Sequence, residues 1–152
     1  MPIGRQVLNA GRQRVNYQGK ARTNYVTVEN LEGLKSALEP WPLEVRASSC
    51  RQGMAALFDT SGSGWPTFAV DEDGKDLEFD VATLIMPFVR EGEVLVVMEA
   101  GHEGARYVVG NASAWVRRGE EVLHTHMCLD DIYGRAAREF TLEEGSTGRA
   151  MY

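Results

Sequence analysis

The stretch FDVATLIMPFV (79–89), followed by REGEVLVVME (90–99), decides how this chain folds. The first run is apolar, contains Pro87 near its end and stops at a charged, glycine-containing turn. The second becomes a β-rich run, and glycine-containing turns separate it from ARYVV (105–109) and from the residues after Gly110–Asn111. This order is typical of a helix that leads into an antiparallel meander. The stretch contains no nucleophile beside a base, no phosphate-binding loop and no set of metal ligands.

The rest of the chain carries the same kinds of signal. Asn30 can cap a helix that must end before Pro40, because a residue before proline avoids the helical conformation. Alternation and glycine turns elsewhere favour strands. The predicted helices are 31–38, 80–89 and 129–140, and the predicted strands are 25–29, 43–47, 53–58, 66–70, 93–99, 105–109, 112–116 and 121–126. We therefore predict an α+β fold, an antiparallel sheet with two or three helices packed on one face.

Two segments, 31–70 and 80–117, share one order of elements: a helix, two strands, a glycine turn and a further strand. Each contains a tryptophan towards its end, Trp65 in the first and Trp115 in the second. This order predicts two helix-plus-β-meander units. The predicted core consists of Leu34, Leu38, Val45, Leu57, Phe68, Leu84, Ile85, Phe88, Val94, Val96, Tyr107, Val109, Ile132 and Phe140.

Length and composition are those of one globular domain. The chain has 152 residues, 43% apolar and 25% charged, which is enough to bury a core. No apolar run reaches the roughly 18 residues of a membrane span, and no apolar segment at the N-terminus indicates a signal peptide. We expect a cytoplasmic protein with no membrane contact, whose Cys50 and Cys128 are reduced thiols.

The charge is unevenly distributed along the chain. Residues 1–24 contain five basic side chains and no acidic one, so they sum to +5, and the net charge of −6 leaves −11 for the rest. We predict that 1–24 is a basic, flexible or strap-like arm, that 25–144 is the folded domain and that 145–152 is a loose tail. Basic side chains near Tyr17 and Tyr25 could hold single-stranded nucleic acid through phosphate contacts and stacking. The candidate residues are Arg12, Arg14, Lys20 and Arg22.

A cluster of metal-binding residue types lies near the C-terminus. In an extended strand His124, His126 and Cys128 point to the same side, about 6–7 Å apart. Imidazole and thiolate ligands suit zinc, and Asp130 or Asp131 could supply a fourth ligand. The alternative is a strand whose histidines are partly exposed and hydrogen-bonded. A Cys–His nucleophile would need a further acid–base partner, which the sequence does not place.

An acidic run, DEDGKDLEFD (71–80), follows the first predicted unit. Its spacing does not match the calcium loop D-x-[DN]-x-[DN]-G, and Asp73–Gly74 is typical of a turn. Such a run is either a solvated face or a docking surface for a basic partner. The candidate protein-binding residues are Asp71, Glu72, Asp73, Asp76 and Glu78.

The run PFVREGEVLVVMEAGHEGARYVV (87–109) carries one resemblance. Over about residues 80–110 the chain resembles small uncharacterised α+β proteins of plasmids, phages and actinobacterial genomes. In those proteins a helix ending in Pro-Phe-Val precedes an apolar strand and a glycine-rich hairpin. The aromatic residue that often precedes their return strand is absent here. The resemblance implies an α+β fold and an origin in mobile elements, and it brings no established activity.

These features predict a small binding or regulatory module that acts through protein–protein contact, and not an enzyme. An exposed sheet edge invites pairing, so we also expect a homodimer. No cofactor is indicated. The two alternative functions are nucleic-acid binding through the basic arm and a metal-dependent enzyme or metal sensor at the histidine–cysteine cluster.

Overall fold

A seven-stranded antiparallel sheet forms the centre of the molecule. The computed structural model describes residues 9–10, 17–104 and 107–150. The strands are β1 (Asn9–Ala10), β2 (Tyr17–Thr23), β3 (Val26–Thr27), β4 (Leu43–Ala47), β5 (Met54–Asp59), β6 (Phe68–Val70), β7 (Asp76–Glu78), β8 (Val94–Glu103), β9 (Tyr107–Arg118) and β10 (Glu121–Cys128). The helices are α1 (Leu31–Leu38), α2 (Val81–Leu84) and α3 (Asp131–Glu139), with a 3₁₀ turn at Met86–Phe88. The fold is α+β, as predicted.

The large sheet has the order β10–β9–β8–β2–β5. Phe58 of β5 pairs with Arg22 of β2 and with Glu44 of β4, so these two strands lie on opposite edges of β5. The short strand β3 also pairs with β5, on the same edge as β2. Within the described residues, β10 and β4 therefore form the two edges of the sheet. A separate sheet has the order β1–β6–β7.

The first helix forms where its capping signals predict. The Asn30 side chain accepts a hydrogen bond from the Gly33 amide at 2.9 Å, which satisfies one of the free donors of the first turn. Leu34 and Leu38, four residues apart, are buried, and Glu39 caps the C-terminus just before Pro40. The described helices are all too short to cross a lipid bilayer.

The core lies between α1, α2 and the 3₁₀ turn on one side and the inner face of the sheet on the other. Ile85, Met86 and Leu95 are fully buried in it. Phe79 lies edge-on between two tryptophans, with ring centroids 4.8 Å from Trp41 and 5.7 Å from Trp65. These edge-to-face contacts connect the small sheet to the helices.

The prediction of which face of β8 points into the core is wrong. Leu95 and Val97 are buried, while Val94 is 46% exposed. The run Val94–Val97 is apolar at every position, so its pattern does not distinguish one face from the other, and a shift of one residue reverses every side chain. Other predicted core residues are also exposed, namely Phe68, Tyr107, Ile132 and Phe140.

The turn predicted at Gly110–Asn111 is also wrong, because β9 runs through it. Gly110 pairs with Ala100 and Asn111 pairs with Glu99, both on β8. A Cβ atom on Gly110 would meet the Leu129 side chain at 2.7 Å. Glycine is therefore present here because a neighbouring side chain approaches the strand closely, and not because the chain turns.

Residues 17–23 of the predicted basic arm form β2, a strand inside the sheet, so arm and domain do not separate at residue 24. Every second residue of this strand, namely Gly19, Ala21 and Thr23, points to the face of the sheet that the helices cover. These three residues are buried. The residues 1–8 and 11–16, including Arg12 and Arg14, lie outside the described residues. The two predicted units also differ in the structure, because β6 of the first belongs to the small sheet.

Candidate functional site

One face of the large sheet is covered by helices, and the other lies open. Side chains opposite each other in an antiparallel pair share a face. Met98 pairs with Arg22 and with Ala112, and Ala112 pairs in turn with Met127, so one row crosses β2, β8, β9 and β10. A second row contains Lys20, Ala100 and Gly110. We define the open face by these rows and their neighbours, Lys20, Arg22, Met98, Ala100, Val108, Gly110, Ala112, Leu123, Met127 and Leu129.

The open face is apolar at its centre. Met98 is 61% exposed, Met127 is 59% exposed, and Val108 is 74% exposed. Single exposed apolar residues are common on protein surfaces, but a contiguous group of them marks an interaction site. Here Met98 and Met127 lie on either side of Ala112 in one row, and Val108 lies on the same face of β9, so the small residues between them join the three into one surface.

A groove of about 460 Å³ runs across this face. Its floor consists of small residues, among them Ala100, Gly110 and Ala112, while Met98 and Met127 rise beside it. A second, wider groove of about 830 Å³ shares Lys20 and Ala100 with the first and continues past them. The alternation of small and large side chains along three strands therefore makes the surface concave.

The margin of the open face on β2, β5 and β4 is basic. The guanidinium groups of Arg22 and Arg46 lie 4.5 Å and 4.4 Å from the centroid of the Phe58 ring. Arg46 donates a hydrogen bond of 2.8 Å to Glu44, and this bond lowers the pKa of the Glu44 carboxyl and raises that of Arg46. Neither Lys20 nor Arg22 forms an ion pair within the described part of the chain.

The structure places the predicted metal residues on β10, in the alternating positions that the sequence indicates. The His124 ring stacks on Trp115 with centroids 4.6 Å apart, and His126 Nδ1 is 2.8 Å from the Ser113 hydroxyl. Cys128 pairs with Asn111. No group of three His, Cys, Asp or Glu side chains that could hold a metal ion is present among residues 17–104 and 107–150. A metal site remains a prediction to which the structure adds no support.

The acidic run contains the hairpin turn between β6 and β7 and then strand β7 itself. The Asp71 carboxylate accepts hydrogen bonds from the amides of Asp73 at 3.0 Å and Lys75 at 2.8 Å. Glu72, Asp73, Asp76 and Glu78 are exposed. Asp71 therefore shapes the turn, while the remaining carboxylates are free to contact a partner.

The sequence did not predict the open face or the exposure of α3. Within the predicted nucleic-acid set, Lys20 and Arg22 prove to lie on the open face, exposed to solvent. The predicted core residues Ile132 and Phe140 lie on α3 and at its C-cap, and the helix has no buried residue. One signal in the sequence indicated the open face: alanine and glycine recur at positions 100, 110, 112 and 114. These residues are too small to fill a core layer against a helix.

Comparison with known proteins found no relative of this chain. No family model matches the chain, and searches of curated proteins and of solved structures likewise found no match.

Proposed function

We propose that this protein is a binding module that contacts another protein through the open face. The observation that carries the proposal is the row Met98–Ala112–Met127, in which two exposed methionines flank a half-buried alanine across three adjacent strands. Burying such a surface against a partner gains about 25 cal/mol per Å² of apolar area removed from water. The role is regulatory or accessory, in the cytoplasm.

The chemistry of the face favours a protein over a nucleic acid. Proteins that hold single strands stack the bases on aromatic rings. The centre of the open face consists of methionine, alanine and leucine, which have no aromatic ring, and Phe58 at the margin is already in contact with two guanidinium groups. Lys20 and Arg22 then serve as a basic margin that fits acidic groups on a protein partner.

Two further features accompany this proposal. The exposed carboxylates of the β6–β7 turn offer a second, acidic contact surface for a basic segment of a partner. An origin in mobile elements, inferred from residues 80–110, would fit a small accessory protein.

Site-specific photo-cross-linking in the expressing cell tests the proposal. A photo-reactive phenylalanine derivative replaces Met98 in the centre of the open face, and in a matched variant it replaces Glu32. The Glu32 side chain is 83% exposed and lies on α1, on the covered side of the sheet. We expect protein adducts from position 98 and none from position 32.

The adducts also separate the alternatives. A protein adduct at position 98, whether with another protein or with a second copy of the chain, supports the proposal. Adducts with nucleic acid alone would instead support nucleic-acid binding. If position 98 gives no adduct, or no more than position 32, the open face is not a binding surface.

A further inference from the structure

Helix α3 is amphipathic, yet none of its residues is buried within the part of the chain that the structure describes. Ile132, Ala136 and Phe140 follow at spacings of four residues, so they lie on one side of the helix and its C-cap. Ile132 is 58% exposed and Phe140 is 69% exposed. An apolar stripe of this kind normally faces a core. In this chain it faces solvent.

The polar groups around the helix already have partners. Arg135 and Glu139 form an ion pair of 2.7 Å along the helix, and Arg149 pairs with Asp130 at 3.2 Å. The Ala150 amide also donates a hydrogen bond to the Tyr133 hydroxyl, so the last described residues fold back over Tyr133. Ile132 and Phe140 nevertheless stay exposed, and these two side chains are available for a partner.

The geometry points to a second copy of this chain as the occupant of the open face. In the resulting dimer the segment 131–144 of each copy lies across the open face of the other. This inference rests on the proposed function, because it names the partner of that same face. Within the described residues one chain carries both an open apolar groove and a helix whose apolar side chains are exposed, and Leu129, which lines the groove, lies just before that helix.

The charges of the two surfaces are complementary. Lys20 and Arg22 line the groove and have no ion pair among the described residues. Glu143 and Glu144, just after α3, are exposed and likewise have no ion pair there. A helix laid across the groove brings these acidic residues within reach of the basic margin.

Both surfaces are also strongly exposed. The large apolar side chains of the open face and of the C-terminal segment are 40–74% exposed, so a contact between the two removes apolar area from water on both partners. A two-fold axis repeats the contact, so that both grooves and both helices are filled and the assembly closes.

The first experiment measures the mass of the full-length protein by sedimentation velocity at micromolar concentrations. We expect twice the 16.8 kDa of the chain. Met98→Glu places a charged side chain in the groove, and Phe140→Glu places one on the apolar stripe. Each substitution occurs at two places in a symmetric dimer and should raise the dissociation constant of the dimer by at least about a hundredfold. Phe68→Glu is the matched control, since Phe68 is 42% exposed on the small sheet, and it should remain dimeric. Circular dichroism verifies that all variants are folded.

Mixing the two variants tests the reciprocal arrangement itself. Each variant alone has no intact helix-on-face contact, whereas a mixed dimer has one, between the wild-type stripe of Met98→Glu and the wild-type face of Phe140→Glu. We expect the mixture to form dimers that neither variant forms alone. Monomeric wild-type protein, loss of the dimer in Phe68→Glu, or a mixture that stays monomeric would each overturn the inference. Adducts from position 98 with a different protein would still leave the proposed function standing.

Discussion

Glu99 shows how one side chain joins two parts of the molecule. It lies on the inner face of β8, and its carboxylate accepts hydrogen bonds from the Tyr17 hydroxyl at 2.7 Å and from the Trp65 amide at 2.9 Å. The carboxylate also lies directly against Gly64, whose φ is +88°. A side chain at residue 64 would therefore displace the Glu99 carboxylate from its two hydrogen bonds to Tyr17 and Trp65.

Two glycines of this loop allow a matched test. Gly62 also has a positive φ, +73°, but a Cβ atom added there would meet nothing within 4 Å. We expect Gly62→Ala to cost about 1–2 kcal/mol, the strain of a left-handed residue. Gly64→Ala adds a collision with Glu99 and should cost about 1–3 kcal/mol more. Urea unfolding measures both, and equal losses would show that Glu99 does not press on the loop.

At the scale of the element, the register of β8 decides which face is core and which is open. Leu95 is fully buried, and Met98, three residues along, lies on the opposite face. The hydrogen-bond ladder would accept either register equally well, so packing against α1 and α2 makes the choice.

The same strand offers a direct check of that choice. Leu95→Ala removes buried atoms and should destabilise the fold by about 2–5 kcal/mol. Met98→Ala removes exposed atoms and should change the stability of the monomer by no more than about 0.5 kcal/mol. The free energy of unfolding is measured in urea at high dilution, where association does not contribute. The reverse order of the two losses would mean that the register is wrong.

At the scale of the whole molecule, the C-terminal segment stands outside the core. Helix α3 contributes no buried residue among the described ones. Its link to the sheet includes Leu129, whose side chain packs over Gly110 and whose amide donates to the Gly110 carbonyl at 2.9 Å, and a hydrogen bond of 2.7 Å from the Cys128 amide to Asp131. The fold of the sheet and helices therefore does not depend on it.

A chain that ends after Asp131 should keep its fold and lose its partner. It retains the Asp131 hydrogen bond, so we expect monomer stability within about 0.5 kcal/mol of the full chain. Sedimentation velocity should show only monomer, because the apolar stripe is gone. If instead the shortened chain fails to unfold cooperatively, α3 belongs to the core after all.

Local signals in the sequence were sufficient for the fold class and for several elements. Asn30 with Pro40 bounds α1, and the alternation in Leu43–Ala47 matches β4. On β10 the period-two spacing places His124, His126 and Cys128 on alternate positions of one strand, as predicted. These features depend on neighbours in the chain, such as caps, prolines and alternation, so the sequence alone determined them.

Only the tertiary structure decided where the open face lies. The run Val94–Val97 permits either register, and Gly110 resembles a turn residue until Leu129 is seen to pack on it. The stripe of α3 fits a core helix equally well by its spacing, although none of its residues is buried among those that the structure describes. In each case the deciding contact joins residues distant in sequence, and burial is a property of how elements pack together rather than of their local pattern.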